Sequence, residues 1–254
     1  MGTDGNGVRR FDTKTGESLQ FRHDPSDPNS LPSNNMLFVF EDERGTLWVG
    51  TYHDGLASLS RADRKTGMFR RYQHNPSDPT SLSNNSVISI YRDRFGILWV
   101  GTNGGGVNKL VTGSVKFKHY RRDFAGANSL NDNGVWSIYE ARDGALWVGT
   151  NTALNIFDRR TGRWTNYKTD ATPGGGQAAK PTALRGRSVR AICEDRIRSN
   201  TFWIGTLDSG LIKFDRTSNR FTRYPMSSGA DPVYVIHQDR SGKLWVGTNG
   251  RGGL

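Results

Sequence analysis

Apolar and polar residues alternate along this chain in short runs broken by turn residues. The pattern is clearest between Ser83 and Tyr120. Val87-Ile-Ser-Ile-Tyr91 is a β-branched, alternating run and predicts a strand. Asp93-Arg-Phe-Gly96 predicts a short hairpin loop: Asp can accept hydrogen bonds from the turn backbone, and Gly can take the left-handed position. Ile97–Thr102 reads as a second strand and Asn103-Gly-Gly-Gly106 as a turn. Val107–Leu110 reads as a third strand, Thr112-Gly113 as a turn and Val115–Tyr120 as a fourth strand. No window sustains a helical period with caps.

The unit recurs. Leu-Trp-Val-Gly-Thr stands at Leu47–Thr51, Leu98–Thr102, Leu146–Thr150 and Leu244–Thr248, with Phe-Trp-Ile-Gly-Thr at Phe202–Thr206. The tryptophans Trp48, Trp99, Trp147, Trp203 and Trp245 lie about 42 to 56 residues apart. Four antiparallel strands at such a period predict an all-β fold, a β-propeller of four-stranded antiparallel blades with five repeats. The first full copy places strands at 36–42, 46–51, 55–60 and 68–73. Residues 1–23 supply the second half of a repeat and 231–254 the first half, so the two ends could complete one blade between them. A single propeller domain over 1–254 and a five-repeat fragment of a larger propeller are both compatible with that phase.

The copies can be compared with one another. Gly50, Gly101, Gly149, Gly205 and Gly247 recur inside a strand, where Gly costs about 0.5–1 kcal/mol relative to Ala, and so predict close approach by a neighbouring backbone or ring. The tryptophans before them are expected to pack between blades. The linking loops recur as well: His23-Asp-Pro-Ser-Asp-Pro-Asn-Ser-Leu31 against His74-Asn-Pro-Ser-Asp-Pro-Thr-Ser-Leu82, then a looser Arg122–Asn133 that keeps Asn128-Ser-Leu130. The longest connection, Thr169–Arg187, contains Gly174-Gly-Gly176 without the Lys-Ser/Thr or helix of a phosphate loop. Pro225–Pro232 is short.

One register does not recur. It holds Leu37, Ile88, Trp136, Arg190 and Tyr234, while the residue before it (Met36, Val87, Val135, Val189, Val233) and the residue two after it (Val39, Ile90, Ile138, Ile192, Ile236) stay apolar. A scaffold requirement would not accept Leu, Trp and Arg alike. In a propeller the first strand lines the central channel, so these five are the candidate ligand-binding residues, with rings and a guanidinium suited to sugar stacking or to an anionic group. A merely tolerant rim is the competing reading.

Charge and chemistry change the picture little. The net charge of +11 invites nucleic acid, but the basic residues are scattered (Arg9-Arg10, Arg70-Arg71, Lys116, Lys118, Arg121-Arg122, Arg159-Arg160, Arg185, Arg187, Arg190), mostly on outer strands and loops, so no nucleic-acid partner is expected. With 34% hydrophobic residues and no 18-residue apolar run, this segment is expected to make no membrane contact, and the N-terminus has no signal-peptide core. The single Cys193 reads as a buried small hydrophobe. The histidines His23, His53, His74, His119 and His237 carry no metal spacing or nucleophile motif, so no metal, cofactor or catalytic residue is expected.

The stretch Asn75–Tyr91 followed by Asp93–Leu110 closely resembles the two-component regulator propeller repeat, and the resemblance extends over essentially the whole chain. It implies the extracytoplasmic, periplasmic sensor region of a bacterial signalling protein such as a hybrid histidine kinase, some tied to polysaccharide use. It further implies kinase or diguanylate cyclase domains elsewhere in a longer protein, and a small-molecule or oligosaccharide ligand. That family typically builds seven blades, so five repeats depart from it. A scaffold or protein-interaction propeller is the alternative, and a propeller lyase or hydrolase a more distant one.

Overall fold

The computed structural model describes residues 5–111, 113–126, 128–170, 183–224 and 232–248. They fall into two compact units that divide between Tyr120 and Arg121. In the first, β1 (Val8–Phe11) and β2 (Ser18–Phe21) pair as a two-stranded sheet. Strands β3 (Met36–Glu41), β4 (Leu47–Thr51), β5 (Leu56–Leu59) and β6 (Arg70–Tyr72) form a four-stranded antiparallel sheet in chain order. Strands β7 (Val87–Arg92), β8 (Leu98–Thr102), β9 (Gly106–Leu110) and β10 (Phe117–Tyr120) repeat it. A three-residue 3-10 turn, Ala62–Arg64, is the one helical element among the described residues.

In the second unit, β11 (Val135–Glu140), β12 (Leu146–Thr150), β13 (Ala153–Asp158) and β14 (Arg163–Asp170) form the same antiparallel sheet. To it is added β15 (Leu184–Arg185), parallel to the end of β14. Strands β16 (Val189–Glu194), β17 (Thr201–Thr206), β18 (Leu211–Asp215) and β19 (Arg220–Tyr224) form the next sheet. Strands β20 (Val233–Gln238) and β21 (Leu244–Thr248) pair as a two-stranded sheet. The alternation therefore located every strand but β15. That strand lies in the connection read as plain loop; Leu184 drives it, fully buried at the place that Leu31, Leu82 and Leu130 fill in the other copies. Gly174–Gly176 lie outside the described residues.

The cores lie between consecutive sheets. In the first unit Val8, Leu31, Val49, Ala57, Leu59 and Phe69 form one cluster, and Trp48, Leu56, Leu82, Val87, Ile90, Leu98 and Phe117 another. In the second, Trp147, Leu154, Leu184, Val189, Phe202 and Phe214 close together, with Trp147 stacked on Phe202 at 3.6 Å. The tryptophans thus pack between sheets as expected, with one correction. Trp245, on a sheet that has two strands among the described residues, is 54% exposed. Cys193 is half-buried on β16, not buried, and burial raises its thiol pKa.

Three of the recurring strand glycines, Gly50, Gly149 and Gly205, have the role their recurrence implies. A Cβ on Gly50 would sit 2.7 Å from Val87 Cγ1, and one on Gly149 would sit 2.4 Å from the Val189 carbonyl oxygen. One on Gly205 would sit 2.6 Å from Val233 Cγ1. In each case the neighbour is the first residue of the next sheet's first strand, so sheets approach to backbone distance at these points.

The hairpin after the first strand carries a clasp in four of the five copies. Asp42 Oδ1 accepts the Arg44 and Thr46 N–H groups while its Oδ2 accepts the Trp48 indole N–H at 3.1 Å. Asp93–Trp99, Asp195–Trp203 and Asp239–Trp245 repeat the bond at 2.8, 2.9 and 3.1 Å. The third copy has Ala141 at this place, and the fully buried Trp147 indole N–H has no partner. The end of the next sheet's first strand completes the clasp. Arg92 reaches Asp42 at 2.5 Å, and Gln238 reaches Asp195 Oδ1 at 3.5 Å. Where the acid is missing, the next strand ends in an acid of its own: Glu194 accepts the Arg142 N–H at 2.7 Å.

The proline loops are held by the fourth strand. Arg71 donates to the Ser30 carbonyl, His119 Nε2 lies 2.7 Å from the Ser81 carbonyl and Asn166 donates to the Ser129 carbonyl. Arg71 is therefore not a free solvated charge, as its place on an outer strand suggested.

Candidate functional site

The variable register has a structural identity that alternation concealed. In all five sheets the pairing of the first strand with the second shifts at that residue. Leu37 falls between Met36 and Phe38, and Ile88 between Val87 and Ser89. Trp136 falls between Val135 and Ser137, Arg190 between Val189 and Ala191, and Tyr234 between Val233 and Val235. Each is the extra residue of a β-bulge, left out of the ladder and re-aimed away from the strand's alternation. The sequence held a signal for this. The steady apolar positions on either side are three residues apart, where an unbroken strand facing one core would repeat at two or four.

Strand β16 packs against both β11 and β20, so the bulge residues of the second unit meet. The Arg190 guanidinium carbon lies 3.3 Å from the centroid of the Trp136 ring and 5.7 Å from that of Tyr234. The Trp136 indole N–H donates to Asn151 Oδ1 at 2.7 Å, which fixes the ring. Ser137 Oγ donates to the Val189 carbonyl at 3.3 Å and ties the two bulges together. Neither Asn151 nor Ser137 stood out in the sequence. Trp136 and Arg190 are half-buried and Tyr234 is 43% exposed; none is among the buried core residues. Arg190 Nε is buried without a hydrogen-bond partner. Burial pulls the guanidinium below its ordinary pKa, with the Tyr234 hydroxyl acting in the opposite sense. It stays a cation at neutral pH.

Leu37 and Ile88 occupy the same bulge position in the first unit. Leu37 is 43% exposed and Ile88 half-buried. Three of the histidines have structural partners: His23 Nδ1 and His74 Nδ1 lie 2.7 and 2.8 Å from the Leu31 and Leu82 carbonyls, and His119 holds Ser81. His53 rests edge-on against Tyr52, and His237 sits on β20 opposite Trp245.

Antiparallel four-strand sheets that follow one another in sequence and, within each unit, pack on one another through apolar cores are the blades of a β-propeller. Four stretches, residues 30–53, 81–104, 129–152 and 227–250, match the model of the two component regulator propeller. The chain thus carries four two component regulator propeller repeats, and Phe202–Thr206 repeats their Trp-Gly-Thr signature outside those matches. Among solved structures it is similar to the extracellular domain of a protein from B. thetaiotaomicron described as a hybrid two component system. Identity there is 25% and the TM-score 0.73, covering 99% of this chain and 30% of that one. The chain thus spans about a third of that relative's length. PorZ of Porphyromonas gingivalis (16% identity, TM-score 0.59, 85% of this chain and 32% of that one) shares the fold. So does YCF48 of Cyanidioschyzon merolae (13%, 0.60, 94% and 70%). No curated protein matches the chain. Among the described residues no helix is long and apolar enough to cross a membrane.

Proposed function

We propose that this chain is a non-catalytic, extracytoplasmic sensor propeller of a bacterial signal-transduction protein. It binds a small carbohydrate at Trp136, Arg190 and Tyr234. The observation that carries the reading is the convergence of three bulge residues from three successive sheets on one partly open cluster. The repeats and the 25%-identical extracellular domain of a hybrid two component system support the sensor assignment. Kinase or cyclase output would reside elsewhere in a longer protein. A sugar would lay an apolar ring face on the exposed Tyr234 ring while Arg190 donates in-plane hydrogen bonds to an oxygen. Leu37 and Ile88 hold the equivalent bulges of the first unit and offer apolar surface there.

The test is titration calorimetry against an oligosaccharide panel with the intact protein and Arg190→Ala. Loss of a charge-assisted hydrogen bond should weaken binding by about 1–3 kcal/mol with the circular-dichroism melt unchanged. An oligosaccharide bound equally by both proteins would remove Arg190 from the site.

A further inference from the structure

The state of Arg190 specifies the ligand further than its position does. Other half-buried arginines have oxygen partners: Arg92 meets Asp42 and Glu43, Arg159 meets Glu140, and Arg71 donates to the Ser30 and Leu31 carbonyls. Arg190 has two aromatic rings and, among the described residues, no carboxylate. Its Nε is buried and unpaired. A half-buried cation with unmet N–H donors is costly unless an anion joins it, and the rings recover only part of that cost.

From this geometry we infer that the ligand group received by Arg190 is a carboxylate, presented beside a flat apolar face as in a uronic acid. The inference rests on the sensor reading above and narrows it from sugars in general to acidic ones. Shape favours a carboxylate over a sulfate or phosphate. Arg190 lies on the middle one of three successive first strands, with Trp136 contributed by one neighbour and Tyr234 by the other. The Trp136 ring lies 3.3 Å from the guanidinium carbon and the Tyr234 ring 5.7 Å from it, so a ligand would meet the guanidinium through its in-plane N–H donors. A planar, two-oxygen acceptor meets those donors in the guanidinium plane, whereas a tetrahedral anion projects further oxygens toward the rings. Desolvation of the guanidinium favours an anionic partner in general, because the attraction strengthens as the cation loses water.

The experiment uses three probes on the whole chain by titration calorimetry: methyl β-D-glucuronide, methyl β-D-glucoside and benzoate. Each is repeated with Arg190→Met, which keeps the side chain's length and removes its charge. Expected is at least tenfold tighter binding of the glucuronide than of the glucoside, with that preference abolished in Arg190→Met. Equal binding of the two sugars overturns the carboxylate inference and leaves the carbohydrate sensor standing. A preference that survives in Arg190→Met also overturns the inference. Binding of benzoate alone, lost in Arg190→Met, supports the carboxylate and overturns the sugar. Binding of none overturns both. A folded, wild-type-like melt for Arg190→Met is checked in the same series, and Arg190→Gln, which also removes the charge, serves in its place if Met unfolds the sheet.

Discussion

Val189 and Arg190 are consecutive residues with opposite fates. Val189 is fully buried, and its carbonyl would lie 2.4 Å from a Cβ on Gly149. Arg190, one peptide further on, leaves the ladder at a bulge and stacks on Trp136. The bulge recurs at Leu37, Ile88, Trp136 and Tyr234, and the residue before it is fully buried at Val87, Val135 and Val233 and half-buried at Met36. The bulge is what separates a residue that must seat the next sheet from one that is free to vary. Where the variable residues are Leu and Ile they offer apolar surface; where they are Trp, Arg and Tyr they offer aromatic rings and a cation.

The comparison breaks most severely at the scaffold. Trp147→Ala should cost about 3–5 kcal/mol by opening a cavity against Phe202, whereas the half-exposed Trp245→Ala should cost about 1 kcal/mol or less; denaturant unfolding measures both. Gly149→Ala forces a Cβ to within 2.3 Å of Ser137 Oγ and should destabilise by about 1–3 kcal/mol. Because Val189 must then retreat, the near-ultraviolet dichroism of the Trp136–Arg190 stack should change with it.

The clasp sharpens the comparison at a smaller scale. Ala141→Asp supplies the acid that Trp147 lacks but sets it beside Glu194, so alone it should not stabilise. Combined with Glu194→Gln it restores the arrangement of Asp195 with Gln238. A double-mutant cycle should return a favourable coupling of about 1–3 kcal/mol.

Acid should loosen the same clasps. Burial pushes Asp42 and Asp195 up, but hydrogen bonds from the Thr46 and Arg198 backbone, the indoles and their other partners outweigh it and leave both lowered. Asp239 is lowered to about 2 by the Ser241 hydroxyl and the Trp245 indole. A carboxylate with a depressed folded pKa stabilises above its unfolded value of 3.8 and loses that contribution as pH falls through the folded one. The melting temperature should therefore hold down to about pH 4 and fall between about pH 4 and 2, less steeply in Asp195→Asn.

Much of this was legible beforehand, because a blade's strands and turns are local. Alternation and Asp-x-x-Gly sufficed for the hairpins, down to the left-handed Gly96 at φ 76°. The recurrence of Gly149 and its equivalents announced close sheet contact. Leu184 was missed because a two-residue parallel strand has no period to read. The Asp–Trp clasp was missed because it joins residues six apart across a turn, a distance to which neither alternation nor propensity is sensitive. The candidate site was found through variation at one register. Its cause, the bulge, and the stack of Arg190 on Trp136 depend on pairing between distant strands.

One melting series bears most directly on the division between neighbours. Val189→Ala, Arg190→Ala and the unaltered protein are heated with and without methyl β-D-glucuronide. The account predicts that Val189→Ala melts well below the parent yet is still stabilised by the ligand. Arg190→Ala should melt within about 1 kcal/mol of the parent in stability and gain nothing from the ligand. An Arg190→Ala protein that is destabilised as much as Val189→Ala, or that responds to the ligand as the parent does, would contradict it.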